Sequence, residues 1–414
     1  MERHYHRLPN GLTLVGEHHP DARSIAAGFF VRTGARDETP EVAGVSHFLE
    51  HMMFKGTARR SPFDVNREFD EMGARYNAFT SEENTVYYGQ VLPRFQGRLL
   101  DLLGDMMRPA IRDEDFTMEK NVILEEIAMY QDKPSFVVFD RAREAYYGAH
   151  PLGHSVLGSR QSIAELEAEQ MRAYFGRRYA ADNITLVLTG NYDWDAVQTD
   201  AERLCGAWEP SGAGRELPPY AGQTSLRVER PRDDKGADKF NRAHVAFLCP
   251  GYSAQSPERY AALLAGEVLG GGESSRLYWA LVHPGLAEAA SISHDSSDGT
   301  GAFYGYLLAD PTQVSEAYRT FRSVLAKACA DGLTVAEIER AKKRLASATV
   351  LRAETPMGRL TAVGYDWIYR QETKSADEAL DALLAVTPDE VNALLAAQPF
   401  ERATTVALGP LDEL

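Results

Sequence analysis

The eleven residues HFLEHMMFKGT, 47–57, decide how this chain is read, because they set two histidines four apart with a glutamate between them. On a helix turning about 100° per residue, His47 and His51 lie within about 40° of each other and one turn apart, so both imidazoles reach one ion. Glu50 projects beside them. Two imidazoles leave room for a third protein ligand and a water, and a carboxylate next to that water can take its proton. The order His-x-x-Glu-His inverts the commoner zinc motif His-Glu-x-x-His. The flanks predict a helix: Thr39 and Pro40 offer a cap and a first-turn proline, Val42, Val45, Phe48, Leu49 and Met52 an apolar stripe, and Gly56 a stop.

A third ligand is expected on another rigid element, and the acid-rich helix predicted over 114–132 and stopped by Pro134 holds several carboxylates. Glu119 and Glu126 are seven apart and face one side within about 20°, whereas Glu125 is turned about 100° away. Spacing leaves Glu126 and Glu119 as alternatives and assigns Glu125 to the solvated surface.

HFLEHMMFKGT (47–57), NAFTSEENTVYYG (77–89) and EKNVILEEIAMYQD (119–132) together resemble the pitrilysin and mitochondrial-processing-peptidase family. PNGL near residue 10, HPLGHSVLG (150–158) and LGGGESSRL (269–277) fall in that family's order. The resemblance implies a zinc metalloendopeptidase with one zinc ion per chain, held by His47, His51 and Glu126. Glu50 is then the general base, and Glu119 is an acidic residue behind the site that supports activity, as an outer partner of a ligating histidine does. Asn77, Ala78, Phe79 and Thr80 match the family's edge strand, which binds an extended peptide by adding it to the sheet. The implied fold is α+β, with two homologous domains, each a mainly antiparallel β-sheet packed with helices, together forming half of a clamshell chamber.

Length and composition suit two cores, with 414 residues of which 44% are hydrophobic. A Pro/Gly-rich stretch over 209–219 suggests a zinc-binding peptidase domain over 1–208, a linker over 209–224 and a homologous non-catalytic domain over 225–414. Strands are predicted over 25–31, 85–92 and 184–188 in the first half, and over 243–248, 303–308 and 404–408 in the second. Helices are predicted over 258–269, 313–330 and 335–353, so the halves read as a distant duplication with the metal motif in the first copy only. Three cysteines, Cys205, Cys249 and Cys329, are odd in number and far apart, which suggests neither a disulfide framework nor a Cys-based metal site, and buried thiols are expected. A net charge of −16 argues against nucleic acid and anionic membranes. No apolar run spans a bilayer and the N-terminus lacks a signal core, so the expected location is cytoplasmic. His150 and His154 have ligand-like spacing, but Pro151 and Gly153 interrupt any helix there. The glycines at 270–272 lack the Lys-Ser or Lys-Thr of a phosphate loop.

The second half departs from the family's pattern. An Arg and a Tyr often stand there seven apart and contribute to substrate binding and catalysis across the chamber. This chain carries Val282 and Glu288 at the matching places. The resemblance therefore implies, besides peptide substrates, a homologous partner subunit that supplies the Arg/Tyr pair, making this chain the zinc-bearing subunit of a heterodimer. The alternatives are a homodimer using groups such as Arg276, Tyr304 or Tyr306, a homodimer dedicated to maturing one peptide, and a non-catalytic scaffold of the same fold.

Overall fold

The protein is described here by a computed structural model, covering residues 2–215, 217–218, 220 and 222–414. Two compact units emerge, each built on one sheet. The first comprises Met1–Ala128, His154–Glu216 and Val350–Ala376, and the second Met129–Gly153, Leu217–Thr349 and Asp377–Leu414. In the first unit β1 (Glu2–Arg7), β2 (Thr13–His18), β3 (Ile25–Val31), β4 (Arg75–Thr80), β5 (Thr85–Val91) and β6 (Ile184–Gly190) pair in the order β1-β2-β6-β3-β5-β4. In the second, β7 (Ser225–Glu229), β8 (Ala243–Pro250), β9 (Ala289–Ser296), β10 (Gly301–Ala309) and β11 (Thr404–Leu408) pair in the order β7-β11-β8-β10-β9. Each sheet has one parallel pair, β2 with β6 and β7 with β11, and is otherwise antiparallel. Removing β1 from the first order leaves the same topology in both units, which is the fold-level form of the duplication.

The central strands β3 (IAAGFFV) and β6 (ITLVLTG) are buried at every residue, as their near-continuous apolar runs require of strands covered on both faces. Helix Gln96–Met106 covers one face: Leu99 lies where a Cβ on Gly89 of β5 would point. The opposite face is covered by helix Pro356–Arg370, whose Leu360, Val363 and Ile368 pack on Val15, Ala26, Phe30 and Val187. Gly364 permits that seating, since a Cβ there would stand 2.3 Å from Phe30 Cε1.

That covering helix comes from the second half of the sequence, and the exchange is reciprocal. In each half a 19-residue helix, Asp113–Gln131 or Val335–Ala353, precedes a proline-started helix. Pro134–Tyr147 lays Val138, Ala142 and Tyr146 on Ala246, Leu248, Val406 and Leu408 of the second unit, as Pro356–Arg370 does on the first. The compact units therefore differ from the consecutive segments 1–208 and 225–414. Each sheet has two apolar faces, and the local helices of its own half cover only one.

The expected linker also differs. Its first part is packed on the first unit: Asp182 accepts the N–H groups of Ser211 and Gly212 at 3.0 and 2.8 Å, and the Arg215 side chain, 2% exposed, pairs with Asp37. Glu216, Pro219 and Ala221 of that stretch, like Met1, lie outside the described residues. All three cysteines are buried free thiols. Among the described residues, no helix is long and apolar enough to cross a membrane.

Candidate metal centre

Helix Val45–Met52 carries the His-x-x-Glu-His run. Its start is not the expected Thr39 cap: Pro40–Val42 forms a 3-10 turn, and the α-helix begins only after Gly44, at φ 92°. Glycine is required there by the left-handed backbone and by space, since a Cβ would meet Leu157 O at 2.7 Å. The free N–H groups of this first turn are taken by a buried carboxylate from outside the helix. Glu38 accepts from Gly44 N at 2.7 Å and from Ser46 N at 2.8 Å. Complete burial raises its pKa to about 7 in spite of those bonds. Val45, Phe48, Leu49 and Met52 form the buried stripe, and Gly56, at φ 90°, follows the helix end.

This burial turns His47 and His51 toward helix Asp113–Gln131. Glu126 Oε2 stands 3.8 Å from His47 Nε2 and 3.6 Å from His51 Nε2. Among the described residues, His47, His51 and Glu126 are the one group of three that brings potential ligand atoms within 4.8 Å of one another. Glu119 lies about 10 Å back along the same helix face, seven residues at 1.5 Å rise, and meets a different atom. His51 Nδ1 donates to Glu119 Oε1 at 2.8 Å, and Lys55 Nζ pairs with Glu119 Oε2 at 2.5 Å. With its proton on Nδ1, His51 turns the Nε2 lone pair toward Glu126. Glu125 is exposed, as the spacing predicts.

Electrostatics separate the two histidines. Burial, helped by the neighbouring His51, lowers the pKa of His47 to about 4. Burial also works against protonated His51, yet the Glu119 hydrogen bond and the Glu126, Glu119 and Glu50 carboxylates outweigh it and raise its pKa. Glu119 is held below the usual carboxylate value because His51 and Lys55 together overcome its burial. Glu50 is raised by burial against the hydrogen bond it accepts from Thr80 Oγ1 at 2.6 Å. The donor set fits a zinc ion: tetrahedral bonds of about 2.0–2.1 Å make ligand–ligand edges of about 3.3–3.4 Å, close to the 3.6 and 3.8 Å found. The His51 Nδ1–carboxylate bond is the usual support of a ligating imidazole.

Of the residues expected to bind substrate, Asn77, Ala78, Phe79 and Thr80 lie on β4, the edge of the six-stranded sheet. Thr80 reaches the metal-motif helix directly, through its hydrogen bond to Glu50 Oε2. His150 and His154 do not join the site: His150 is buried against Tyr147 and Tyr220, and His154 meets Ala35 O at 3.1 Å. Sequence reading missed Glu38, Lys55 and the Thr80–Glu50 bond. Lys55, four residues after His51, carried a helical-spacing signal. Glu38 carried none, and Thr80 was expected on the edge strand but with no signal pairing it to Glu50.

Two imidazoles and a carboxylate converging from two helices, with a second carboxylate beside them, define a metal-dependent hydrolase type of site. Comparison with known proteins narrows this. The family model "Insulinase (Peptidase family M16)" matches residues 13–160, and "Peptidase M16 inactive domain" matches residues 165–345. The chain is 33% identical over 403 residues to the uncharacterized zinc protease YmxG of Bacillus subtilis, covering 96% of each. It is also 33% identical over 413 residues to the uncharacterized zinc protease SCO5738 of Streptomyces coelicolor, covering 98% of this chain and 89% of the relative. A protease from Helicobacter pylori shares the fold with a TM-score of 0.88 at 17% identity, over 99% of both chains. A Pseudomonas fluorescens structure described as a peptidase M16 inactive domain does so with a TM-score of 0.90 at 18% identity, over 100% of this chain and 99% of that one. The chain belongs to peptidase family M16, the pitrilysin-like insulinase family.

Proposed function

We propose that this chain is a zinc-dependent endopeptidase that hydrolyses unstructured peptides, with one ion held by His47, His51 and Glu126. The observation that carries the proposal is the convergence of His47 Nε2 and His51 Nε2 on Glu126 Oε2, with Glu50 on the intervening helical turn. Zinc, when bound there, supplies the Lewis acidity that acidifies water and stabilises charge on a carbonyl oxygen. The remaining work falls to the chain's own side chains. Glu50, steadied through Oε2 by Thr80, takes a proton from the attacking water on its other oxygen. It returns that proton to the amine nitrogen as the C–N bond breaks. Glu119 holds the His51 tautomer. β4 pairs with β5 alone, so its outer edge offers main-chain groups to a peptide in extended form, which fixes direction while tolerating many side chains.

The same reading takes this chain as the zinc-bearing half of a dimeric chamber, with a homologous partner subunit supplying the Arg/Tyr pair. Three details favour it over a self-sufficient homodimer. Glu288 is ion-paired with Arg242. Arg276 is held by both oxygens of Glu337 at 2.8 and 2.9 Å. Tyr306 OH is engaged by His244 Nδ1 at 2.7 Å. Three buried free thiols suit a reducing compartment, and the proposed location is the cytoplasm.

The deciding experiment is Glu50→Gln, with zinc content by elemental analysis and digestion of an unstructured peptide library by mass spectrometry. Zinc is expected to stay, and cleavage to fall by about 10²–10⁴-fold. Near-normal hydrolysis in that variant would remove Glu50 from the mechanism. Full activity of the wild-type chain alone would count against the partner.

A further inference from the structure

The four-residue turn between β4 and β5, 81–84, contains a buried carboxylate, since the Glu83 side chain is 5% exposed. Groups from three separate stretches of chain hold this turn. Arg36, in the segment leading to the metal-motif helix, donates to Glu83 Oε1 at 2.5 Å. Tyr369, on the exchanged helix Pro356–Arg370, donates its hydroxyl to Glu83 Oε2 at 3.0 Å and accepts from Asn84 Nδ2 at 2.8 Å. Arg215, in the stretch expected to be a linker, donates to the Glu83 carbonyl oxygen and grips Asp37 at 3.0 and 2.6 Å. The backbone closes over the same place: Arg36 N donates to Glu82 O at 2.8 Å, and a Cβ on Gly34 would stand 2.2 Å from Ser81 O.

The turn begins immediately after Thr80, whose hydroxyl steadies Glu50. As an edge strand, β4 has a ladder on one side only, so a shift of the turn meets little resistance from the sheet. We propose that Tyr369 and Arg215 are positioning residues for peptide hydrolysis: they lock the 81–84 turn, and through it β4 and Thr80, in the place that aims Glu50. The inference rests on Glu50 acting as the base. It makes residues beyond 208 part of the catalytic unit, because two of the three groups that hold the turn come from there.

Removing Arg215 takes from buried Asp37 one of its two guanidinium partners, leaving Arg178 at 2.8 Å, and risks the fold. Tyr369→Phe takes away one hydroxyl at nearly constant volume and leaves Arg36 and Arg215 in place, so it carries the test in the full chain. The readouts are zinc per chain, kcat and KM on an unstructured peptide, and amide exchange over 75–80. Zinc content is expected to be unchanged, while kcat falls about three- to tenfold, the net effect of one hydrogen bond. Exchange over 75–80 should quicken while that over 45–52 does not. In a Thr80→Val background the same substitution should add no further loss, because both act along one path. Wild-type kcat with unchanged exchange over 75–80 would overturn the proposal, as would an equal loss with and without the Thr80 hydroxyl. Should the unmodified chain cleave nothing without a partner subunit, the exchange comparison alone decides: quickened exchange over 75–80 in Tyr369→Phe supports the clamp, and unchanged exchange overturns it.

Discussion

Replacing Glu119 by Gln keeps the shape of a side chain that is 3% exposed but removes its charge from between His51 Nδ1, at 2.8 Å, and Lys55 Nζ, at 2.5 Å. Loss of such an outer partner weakens metal binding about 10–100-fold, or about 1.4–2.7 kcal/mol. The pH dependence makes the prediction sharper. In the metal-free protein burial disfavours protonated His51, yet Glu119 and its neighbours overcome that and raise the His51 pKa. Zinc must displace that proton. A ligand with a raised pKa loses apparent affinity as pH falls through the raised value. The Gln variant, with a lower His51 pKa, starts that loss at a lower pH. The gap between wild type and variant is therefore expected in full near about pH 8 and to narrow toward about pH 6. His47, held down to about 4, stays neutral throughout and does not blur the comparison. Competition titration against a chromophoric chelator at both pH values measures the gap, and thermal unfolding of the zinc-free proteins checks that the fold survives. Equal zinc affinity near pH 8, or a gap that widens on acidification, would refute the reasoning.

Other outcomes are equally specific. Arg359→Ala leaves Glu17, 3% exposed and bonded at 2.6 Å through both oxygens, without its partner. Urea unfolding should show a loss of about 3–5 kcal/mol, largely recovered by the double change Glu17→Gln with Arg359→Met. Gly364→Ala raises helix propensity yet forces a Cβ to 2.3 Å from Phe30 Cε1, so a net destabilisation of about 1–3 kcal/mol is expected. A stabilised variant would mean that the helix is not seated on β3. N-methylation, walked along a cleaved peptide, should block cleavage at alternate residues in the segment that pairs with β4, with a strand's period of two. Uniform tolerance would count against edge pairing.

Much of the site was legible because helical periodicity is local. The four-residue spacing put His47 and His51 on one face, and the seven-residue spacing put Glu119 and Glu126 on another. Strands β3, β5, β6, β8, β10 and β11 were legible as apolar runs. β1 (ERHYHR) was not, being a polar strand exposed or half-exposed along its length. The choice between Glu126 and Glu119 was beyond spacing, because it depends on where along the acidic helix the two imidazoles arrive.

By itself, then, the sequence determined the two helices that carry the histidines and carboxylates, the faces those groups share, and the repeated order of strands. Tertiary structure decided which carboxylate meets Nε2 and which meets Nδ1. It also put Glu38 at the head of the metal-motif helix and Thr80 on Glu50, and sent Pro134–Tyr147 and Pro356–Arg370 to the sheets of opposite halves. Local sequence states that a helix has an apolar face and that a buried charge needs a partner. Which distant surface meets that face or that charge is settled only when both faces of each sheet are covered and every buried ion is paired.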